Sequence, residues 1–326
     1  MERPRVFVSQ PIPASAADRI RAFADLDMGP DGSRIMPRPE LIEHLQAADA
    51  FIHLMHDVVN EEAIAAAPRL KIIASMAIGP ATLDVAAATA RKIPVTTIPP
   101  MVTEATADMH WALLLAVARR VVESDAAVRR GIFPGSQSSY FVGSAVYGKT
   151  LGIVGMGRIG TAVARRARGF GMKILYTKRT RLSETEEREL GAIYAPLDEV
   201  LRQSDYVSVN AALTPETRHL IGERELSLMK PAAILVNTSR GPVVDEAALV
   251  DALTSRRIAG AGLDVFEEEP RVHPDLIPLT QVVLTPHTGS AVRELREQMA
   301  GIVVDNLEAV LKGQRPPNLY NPEAYS

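Results

Sequence analysis

The chain has 326 residues, and none of them is cysteine. That excludes disulfides, thiolate metal ligands and cysteine nucleophiles together, and it fits a reducing compartment. Excess charge is missing as well. The formal net charge is −3 and neither end carries a basic tract, so nothing electrostatic invites nucleic acid or an anionic membrane. No apolar run approaches the roughly eighteen residues of a membrane helix, and the opening MERPRVFVSQPIP enters a strand-like segment without the apolar core of a secretion signal. A cytoplasmic protein is expected. Repeats and low-complexity tracts are also absent. With 47% hydrophobic and 23% charged residues, the composition is that of an ordinary globular chain with length for two domains.

What the chain does have is regular alternation. Strand-like runs alternate with helical ones, which predicts an α/β protein with parallel sheets and crossover helices. The first half predicts strands at Arg5–Val8, Ala50–Leu54, Leu70–Ser75 and Val95–Thr97, with a helix near Ala16–Phe23. Thr103 is placed to cap a helix that runs to Arg120. After a loop rich in Gly, Ser and aromatics, Gly131–Gly148, further strands are predicted at Thr150–Val154, Met172–Tyr176, Tyr206–Val209, Ala233–Asn237, Gly260–Val265 and Val282–Leu284. The last helix, Ala291–Leu311, carries Leu295, Met299, Ile302, Val303, Leu307 and Val310 at helical spacing. That stripe needs a partner, and the α/β unit at the N-terminus offers one.

The sequence LGIVGMGRIG, Leu151–Gly160, runs a short apolar strand straight into Gly155, Gly157 and Gly160. This spacing suits a dinucleotide pyrophosphate: the first glycine allows the tight turn, the second lets the main chain approach the phosphates, and the third lets the helix pack on the strand. About twenty residues further on, NAD-binding chains carry a carboxylate for the ribose 2′-hydroxyl. Here the stretch reads Tyr176-Thr177-Lys178-Arg179-Thr180-Arg181, without one. Lys178, Arg179 and Thr180 suit the 2′-phosphate of NADP, and NAD use stays open.

Three polar residues sit beside predicted strand ends: Arg240 in VNTSRGPVVDE, Glu269 in GLDVFEEEP and His287 in LTPHTGSA. In a parallel sheet the carboxyl ends of strands face the ligand crevice. Hydride exchange at a carbon bearing oxygen requires a proton at that oxygen, which suits His287 near neutral pH. Glu269 would orient the imidazole and keep it able to donate. Arg240 would hold a substrate carboxylate and polarise the neighbouring carbonyl with a planar donor fork that lysine lacks.

VGMGRIG, LTPETRHLI, LVNTSRGPVVDE, AGLDVFEEEP and LTPHTGSA, in this order, resemble the D-isomer-specific 2-hydroxyacid dehydrogenase family, and within it the glyoxylate/hydroxypyruvate reductase branch. The resemblance implies two Rossmann-like doubly wound domains, an NAD(P)-binding domain at 101–287 inserted in a substrate-binding domain made of 1–100 and 288–326. It implies Arg240, Glu269 and His287 as the catalytic set, and Asp264 near the nicotinamide carboxamide. Arg158, Ile159, Thr238 and Gly289 follow as further cofactor contacts. The backbone of Ala77, Ile78 and Gly79 would bind the substrate carboxylate, with Met101 near the substrate's other substituent. By the same resemblance a homodimer is expected, through the helix from Thr103 and the Gly131–Gly148 loop. Several positions depart from the family pattern. Gly79-Pro80-Ala81 stands where many members read Gly-aromatic-Asp, Ile98-Pro99-Pro100-Met101 replaces Thr-Pro-Gly-Val, and Asn210 and Ala212 replace a common histidine and proline.

The expected function is NADPH-dependent reduction of small 2-oxo acids, glyoxylate and hydroxypyruvate, to D-2-hydroxy acids, with His287 as general acid and no metal. An alternative is a reductase of a bulkier 2-oxo acid, 2-ketogluconate-like or aryl pyruvate. A nucleotide-sensing binding protein is a second alternative. The Arg/Glu/His set argues against it, since a sensor needs no oriented proton donor.

Overall fold

The computed structural model describes residues 3–325, and in it the chain forms two α/β units. The first takes residues up to Met101 and from Ala291 onward, the second Val102–Ser290. In the first unit, strands β1 (Arg5–Val8), β2 (Asp25–Met28), β3 (Ala50–His53), β4 (Ile72–Ser75) and β5 (Val95–Thr96) form one sheet in the order β2-β1-β3-β4-β5. Every pairing in it is parallel. Its helices are α1 (Ala14–Phe23), α2 (Arg38–Ala47), α3 (Glu61–Ala65) and α4 (Val85–Ala90), and the chain's last helix, α12 (Arg293–Leu311), belongs here too.

Side chains alternate across a strand, so one sheet can bury two faces. Phe7, Phe51, Ile73 and Val95 cluster with Leu41, Leu45 and Ile64 from the helices on one side. Their neighbours Val6, Val8, Ile52 and Ile72 are fully buried as well, and α12 packs on α1 and β4. The stripe of α12 thus finds its partner at the N-terminal end of the chain. Asn60 and Asp84 open α3 and α4 by accepting the Ala63 and Ala87 amides, the preferred way to satisfy a first-turn donor.

The second unit contains α5 (Thr103–Ala118), α6 (Val121–Arg129), β6 (Thr150–Val154), α7 (Arg158–Ala167), β7 (Lys173–Thr177), α8 (Glu184–Leu190), β8 (Ala192–Tyr194) and α9 (Leu197–Gln203). It continues with β9 (Tyr206–Val209), α10 (Glu223–Leu228), β10 (Ile234–Asn237), α11 (Glu246–Thr254), β11 (Gly260–Leu263) and β12 (Val282–Leu284). Its sheet runs β12-β11-β10-β9-β6-β7-β8, all parallel. The chain reverses direction across the sheet between β6 and β9, and in such sheets the ligand crevice lies at the carboxyl ends of those strands. Trp111 of α5 stacks on Phe170 at 4.7 Å and donates its indole N–H to the Val163 carbonyl at 3.2 Å, tying α5 to α7.

Four expectations need adjusting. Thr103 does not cap α5: Val102 precedes the helix and no side chain accepts its first amides. The helix expected to reach Arg120 ends at Ala118, and α6 follows. The short edge strands β2 and β8 went unpredicted, β2 because Asp25 and Asp27 break any apolar signature. The unit boundaries also differ by a few residues from 100/101 and 287/288. Met101 stays with the first unit, its amide on the Pro99 carbonyl at 2.8 Å. Thr288–Ser290 stay with the second because Asp264 ties down the turn around His287.

Candidate active site

Each glycine of the phosphate motif does a separate job. Gly155 sits at φ +97, and a Cβ there would come within 2.6–2.8 Å of the Asn210 and Ala211 backbone. The turn therefore requires glycine both for its angle and for its space. Gly160 lies so close to β6 that a Cβ would meet the Gly155 carbonyl oxygen at 2.4 Å. Gly157, at the start of α7, has open space where its side chain would be, and no side chain caps the helix. The Arg158, Ile159 and Gly160 amides, with the positive end of the helix dipole, suit an anion at that opening. Arg158 is exposed, whereas Ile159 packs its side chain against the core, so Ile159 has only its backbone to offer a cofactor.

At the end of β7 the basic cluster divides. Arg181 is committed: it grips Glu187 with two bonds of 2.8 Å and lies 5.5 Å over the Tyr194 ring. Tyr176 donates to the same carboxylate at 2.6 Å, and these hydrogen bonds hold the Glu187 carboxyl down to about 2. Lys178, Arg179 and Thr180 make no side-chain hydrogen bond or ion pair among the described residues and stand at least partly exposed. Two cations and a hydroxyl thus remain available where the ribose of a dinucleotide ends.

Buried polar atoms without partners lie at the carboxyl ends of β9 and β10: Asn210 Oδ1 and Thr238 Oγ1. Leaving such an atom unpaired costs about 1–3 kcal/mol, so both are fitted to a ligand's hydrogen bonds. With the open Gly157 cradle, these residues fit a dinucleotide.

Past β10, Asn237 shapes the next loop by accepting the Ser239 amide at 3.0 Å and donating to the Arg240 carbonyl at 3.1 Å. Arg240 is exposed and spends one N–H on the Ser239 carbonyl at 2.7 Å, with no carboxylate bound to it among the described residues. At Gly241 an added Cβ would lie 1.8 Å from the Phe266 carbonyl oxygen. The loop of Arg240 and the loop of Glu269 are therefore in direct backbone contact.

Of the three consecutive glutamates only the third reaches the histidine. Glu267 is occupied by Arg218 at 2.8 Å and His219 at 2.6 Å, and Glu268 by Arg271 at 2.9 Å. Glu269 takes the Phe266 amide on one oxygen at 3.0 Å and His287 Nδ1 on the other at 2.8 Å. Burial pushes the Glu269 carboxyl up, but the His287 hydrogen bond and charge, the Phe266 amide and the charge of Arg240 outweigh it and hold the group below its ordinary range. A carboxylate on Nδ1 fixes the ring and leaves Nε2 for other work.

His287 itself has φ +54, a left-handed conformation that a non-glycine residue keeps only where its surroundings hold it. Asp264 supplies that hold. Buried to 1%, it accepts Thr285 Oγ1 at 2.6 Å, the Thr288 amide at 2.8 Å and the Gly289 amide at 2.7 Å. Within the chain, Asp264 and Gly289 thus build the turn that presents His287. Asn237, Gly241 and Thr285 join the site without having been singled out from the sequence. Their work is backbone support, which spacing does not reveal.

The residues expected near the substrate belong to the first unit. Ala77 is buried with its amide on Ser75 Oγ at 3.2 Å, so that amide is already spent. Ile78 and Gly79 are exposed, and their amides have no partner among the described residues. Met101 is half-buried.

A family model described as D-isomer specific 2-hydroxyacid dehydrogenase, NAD binding domain, matches residues 111–289. Over 325 residues, 98% of each chain, the sequence is 50% identical to a glyoxylate reductase of Thermococcus litoralis. Among solved structures it is similar to a protein from Thermus thermophilus, 42% identical with a TM-score of 0.89 over 97% of this chain and 99% of that one. It is also similar to an NADPH-dependent glyoxylate/hydroxypyruvate reductase from Sinorhizobium meliloti, solved with NADP and malonate. That chain is 32% identical with a TM-score of 0.77, over 99% of this chain and 98% of the other.

Proposed function

The chain belongs to the D-isomer-specific 2-hydroxyacid dehydrogenase family, and on that premise we propose that it reduces glyoxylate and hydroxypyruvate to the D-2-hydroxy acids with NADPH. The observation that carries the reading is the 2.8 Å pairing of His287 with Glu269 beside Arg240, whose charge helps keep Glu269 ionised and whose guanidinium makes no ion pair among the described residues. Bound NADPH would supply the hydride. His287 gives the proton from Nε2 to the carbonyl oxygen, and Glu269 stabilises the protonated ring and fixes its orientation. Arg240 pairs with the substrate carboxylate, which sets the carbonyl for attack. The Ile78 and Gly79 amides are the second carboxylate contact, and Met101 limits the substituent.

The Gly155–Gly160 backbone would hold the pyrophosphate, Lys178, Arg179 and Thr180 the 2′-phosphate, and Thr238 the nicotinamide half. The relative from Sinorhizobium meliloti is named as NADPH-dependent, in line with the uncommitted cations after β7. The expected homodimer is part of the proposal. It is supported by the exposed Val128, Phe133, Val142 and Tyr147 in α6 and the following loop, apolar surface of the kind that marks an interface.

Initial rates for a panel of 2-oxo acids, each with NADPH and NADH, test the reading. Glyoxylate and hydroxypyruvate should lead, and NADPH should exceed NADH in kcat/KM by about tenfold or more, since each charge-assisted phosphate contact is worth about 1.5–3 kcal/mol. Equal use of both cofactors overturns the cofactor assignment. Comparable turnover of a 2-oxo ester overturns the role of Arg240.

A further inference from the structure

At the carboxyl ends of β3 and β4 lies a second polar cluster, and it surrounds a histidine. His53 is 1% exposed, and both ring nitrogens are engaged. Nδ1 lies 2.9 Å from Ser75 Oγ, and Nε2 lies 3.1 Å from the Asp57 carbonyl oxygen and 3.0 Å from Thr82 Oγ1. A carbonyl can only accept, so Nε2 carries the proton and Nδ1 is the acceptor. Ser75 therefore donates to His53, which leaves the serine's lone pairs for the Ala77 amide at 3.2 Å. The direction of every bond in the relay is fixed: Ala77 N–H to Ser75, Ser75 O–H to His53, His53 N–H to Asp57.

The relay has a geometric result. Ala77 is pinned at its amide by Ser75 and at its carbonyl by the Ile98 amide at 3.1 Å. The chain then emerges into solvent, and over residues 76–81 only the Ile78 and Gly79 amides are left without an acceptor among the described residues, Pro80 having none to offer. Burial drives the ring's pKa from 6.5 down to about 4, so His53 stays neutral and keeps its acceptor through the neutral range.

We propose that His53, acting through Ser75, is a positioning residue that turns the Ile78 and Gly79 amides outward as a preformed seat for the substrate carboxylate. The inference rests on the carboxylate role given above to the Ile78–Gly79 loop. It adds the side chains that set the loop's shape.

Three variants test it: Ser75→Ala, which removes the relay with little loss of volume, His53→Gln, which retains a donor and an acceptor, and Gly79→Pro, which deletes one of the two amides. KM for glyoxylate, kcat, the dissociation constant of NADPH by fluorescence, and Tm are measured for each. Ser75→Ala should raise KM by about fivefold or more with kcat and cofactor affinity kept, the size expected when one good hydrogen bond is misplaced. His53→Gln should show the same split in milder form. An unchanged KM in Ser75→Ala and His53→Gln, with Gly79→Pro raising it, overturns the positioning role and leaves the loop's role standing. Gly79→Pro without effect on KM overturns the loop's role itself. A fall in kcat, cofactor affinity and Tm together in Ser75→Ala also overturns the proposal, because the damage would then be general and not confined to the carboxylate.

Discussion

The two units follow one plan, a parallel sheet with helices on both faces, yet they spend their polar residues differently. In the first unit the groups beyond the strand ends bond to one another: Ser9 to Asp57 at 2.9 Å, His53 to Ser75 at 2.9 Å, and Thr82 to the Met55 carbonyl at 3.2 Å. In the second, Lys178, Arg179 and Arg240 make no ion pair with a carboxylate among the described residues, and only the charges of Glu186, Glu216 and Glu269 reach them. Buried side-chain atoms without partners among the described residues also divide unevenly: His110 Nε2, Asn210 Oδ1 and Thr238 Oγ1 lie in the second unit, and Thr96 Oγ1 in the first. The second unit is thus organised around something the chain does not itself supply. The first is organised around its own shape and offers a ligand mainly backbone.

The sharpest way to break this contrast is to remove the group to which we assign the chemistry in the second unit. His287 is about one-third exposed, and its one side-chain bond is to Glu269, so His287→Ala should barely move Tm or cofactor affinity while kcat falls by about 10² to 10⁴. An unchanged rate would put the proton donor elsewhere. Glu269→Gln sharpens the same point. The carboxyl lies below its ordinary range and is charged throughout neutral pH. Losing that charge weakens the bond that holds His287 Nδ1, so kcat should fall by less than in His287→Ala, with cofactor affinity kept.

A smaller effect is expected at the ribose end. Lys178→Ala with Arg179→Ala should erase most of an approximately tenfold preference for NADPH and spare NADH turnover. Because neither side chain makes an ion pair among the described residues, and each meets only the charge of Glu186 or Glu216, stability should stay within about 0.5 kcal/mol of the parent. Retained preference would assign the 2′-phosphate to other groups.

How much of this was legible in the sequence follows from the kind of interaction involved. Apart from the edge strands β2 and β8, the strands of both sheets stood out because buried parallel strands are nearly continuous apolar runs, as in Ile72–Ser75 and Ile234–Asn237. The glycine motif was legible because Gly155, Gly157 and Gly160 answer to local geometry. Arg240, Glu269 and His287 were visible through their position beside strand ends and through the family resemblance. The Asp264 clamp was not, since its three donors lie twenty-one to twenty-five residues away. Nor was the division of the basic cluster, which turns on Glu187 and Tyr176 capturing Arg181 and leaving its neighbours without a hydrogen-bonded carboxylate among the described residues. His53 gave no signal either: its partners Ser75 and Thr82 come from other segments, and only the register of β3 against β4, His53 opposite Ser75, brings them together.

The last comparison, read in stability and not in turnover, sets the fully buried histidine of one unit against that of the other. His53 has both nitrogens paired, whereas His110 on α5 has only a 3.4 Å contact from Nδ1 to Ser208 Oγ and an unpaired Nε2. Ser208 accepts the Asn210 amide at 2.7 Å, so His110 Nδ1 is the acceptor left, at long range, for the serine's own O–H. His53→Leu should therefore cost about 2–4 kcal/mol by orphaning Ser75 and the Asp57 carbonyl, while His110→Leu should cost less, about 1 kcal/mol or under, since the Ser208 bond it loses is long and the unsatisfied Nε2 goes with it. The pH dependence gives the sign an independent check. Burial lowers the His110 pKa from 6.5 to about 3, so between those values the unfolded ring binds a proton that the folded ring does not. Stability must then fall as pH falls through that window. Urea unfolding at pH 7.5 and pH 5 should show a smaller loss in His110→Leu than in the parent, with the His53 share of the slope remaining. If His110→Leu destabilises as strongly as His53→Leu, the second unit's histidine has a partner of its own, and the contrast between a self-satisfied unit and a ligand-directed one fails at that residue.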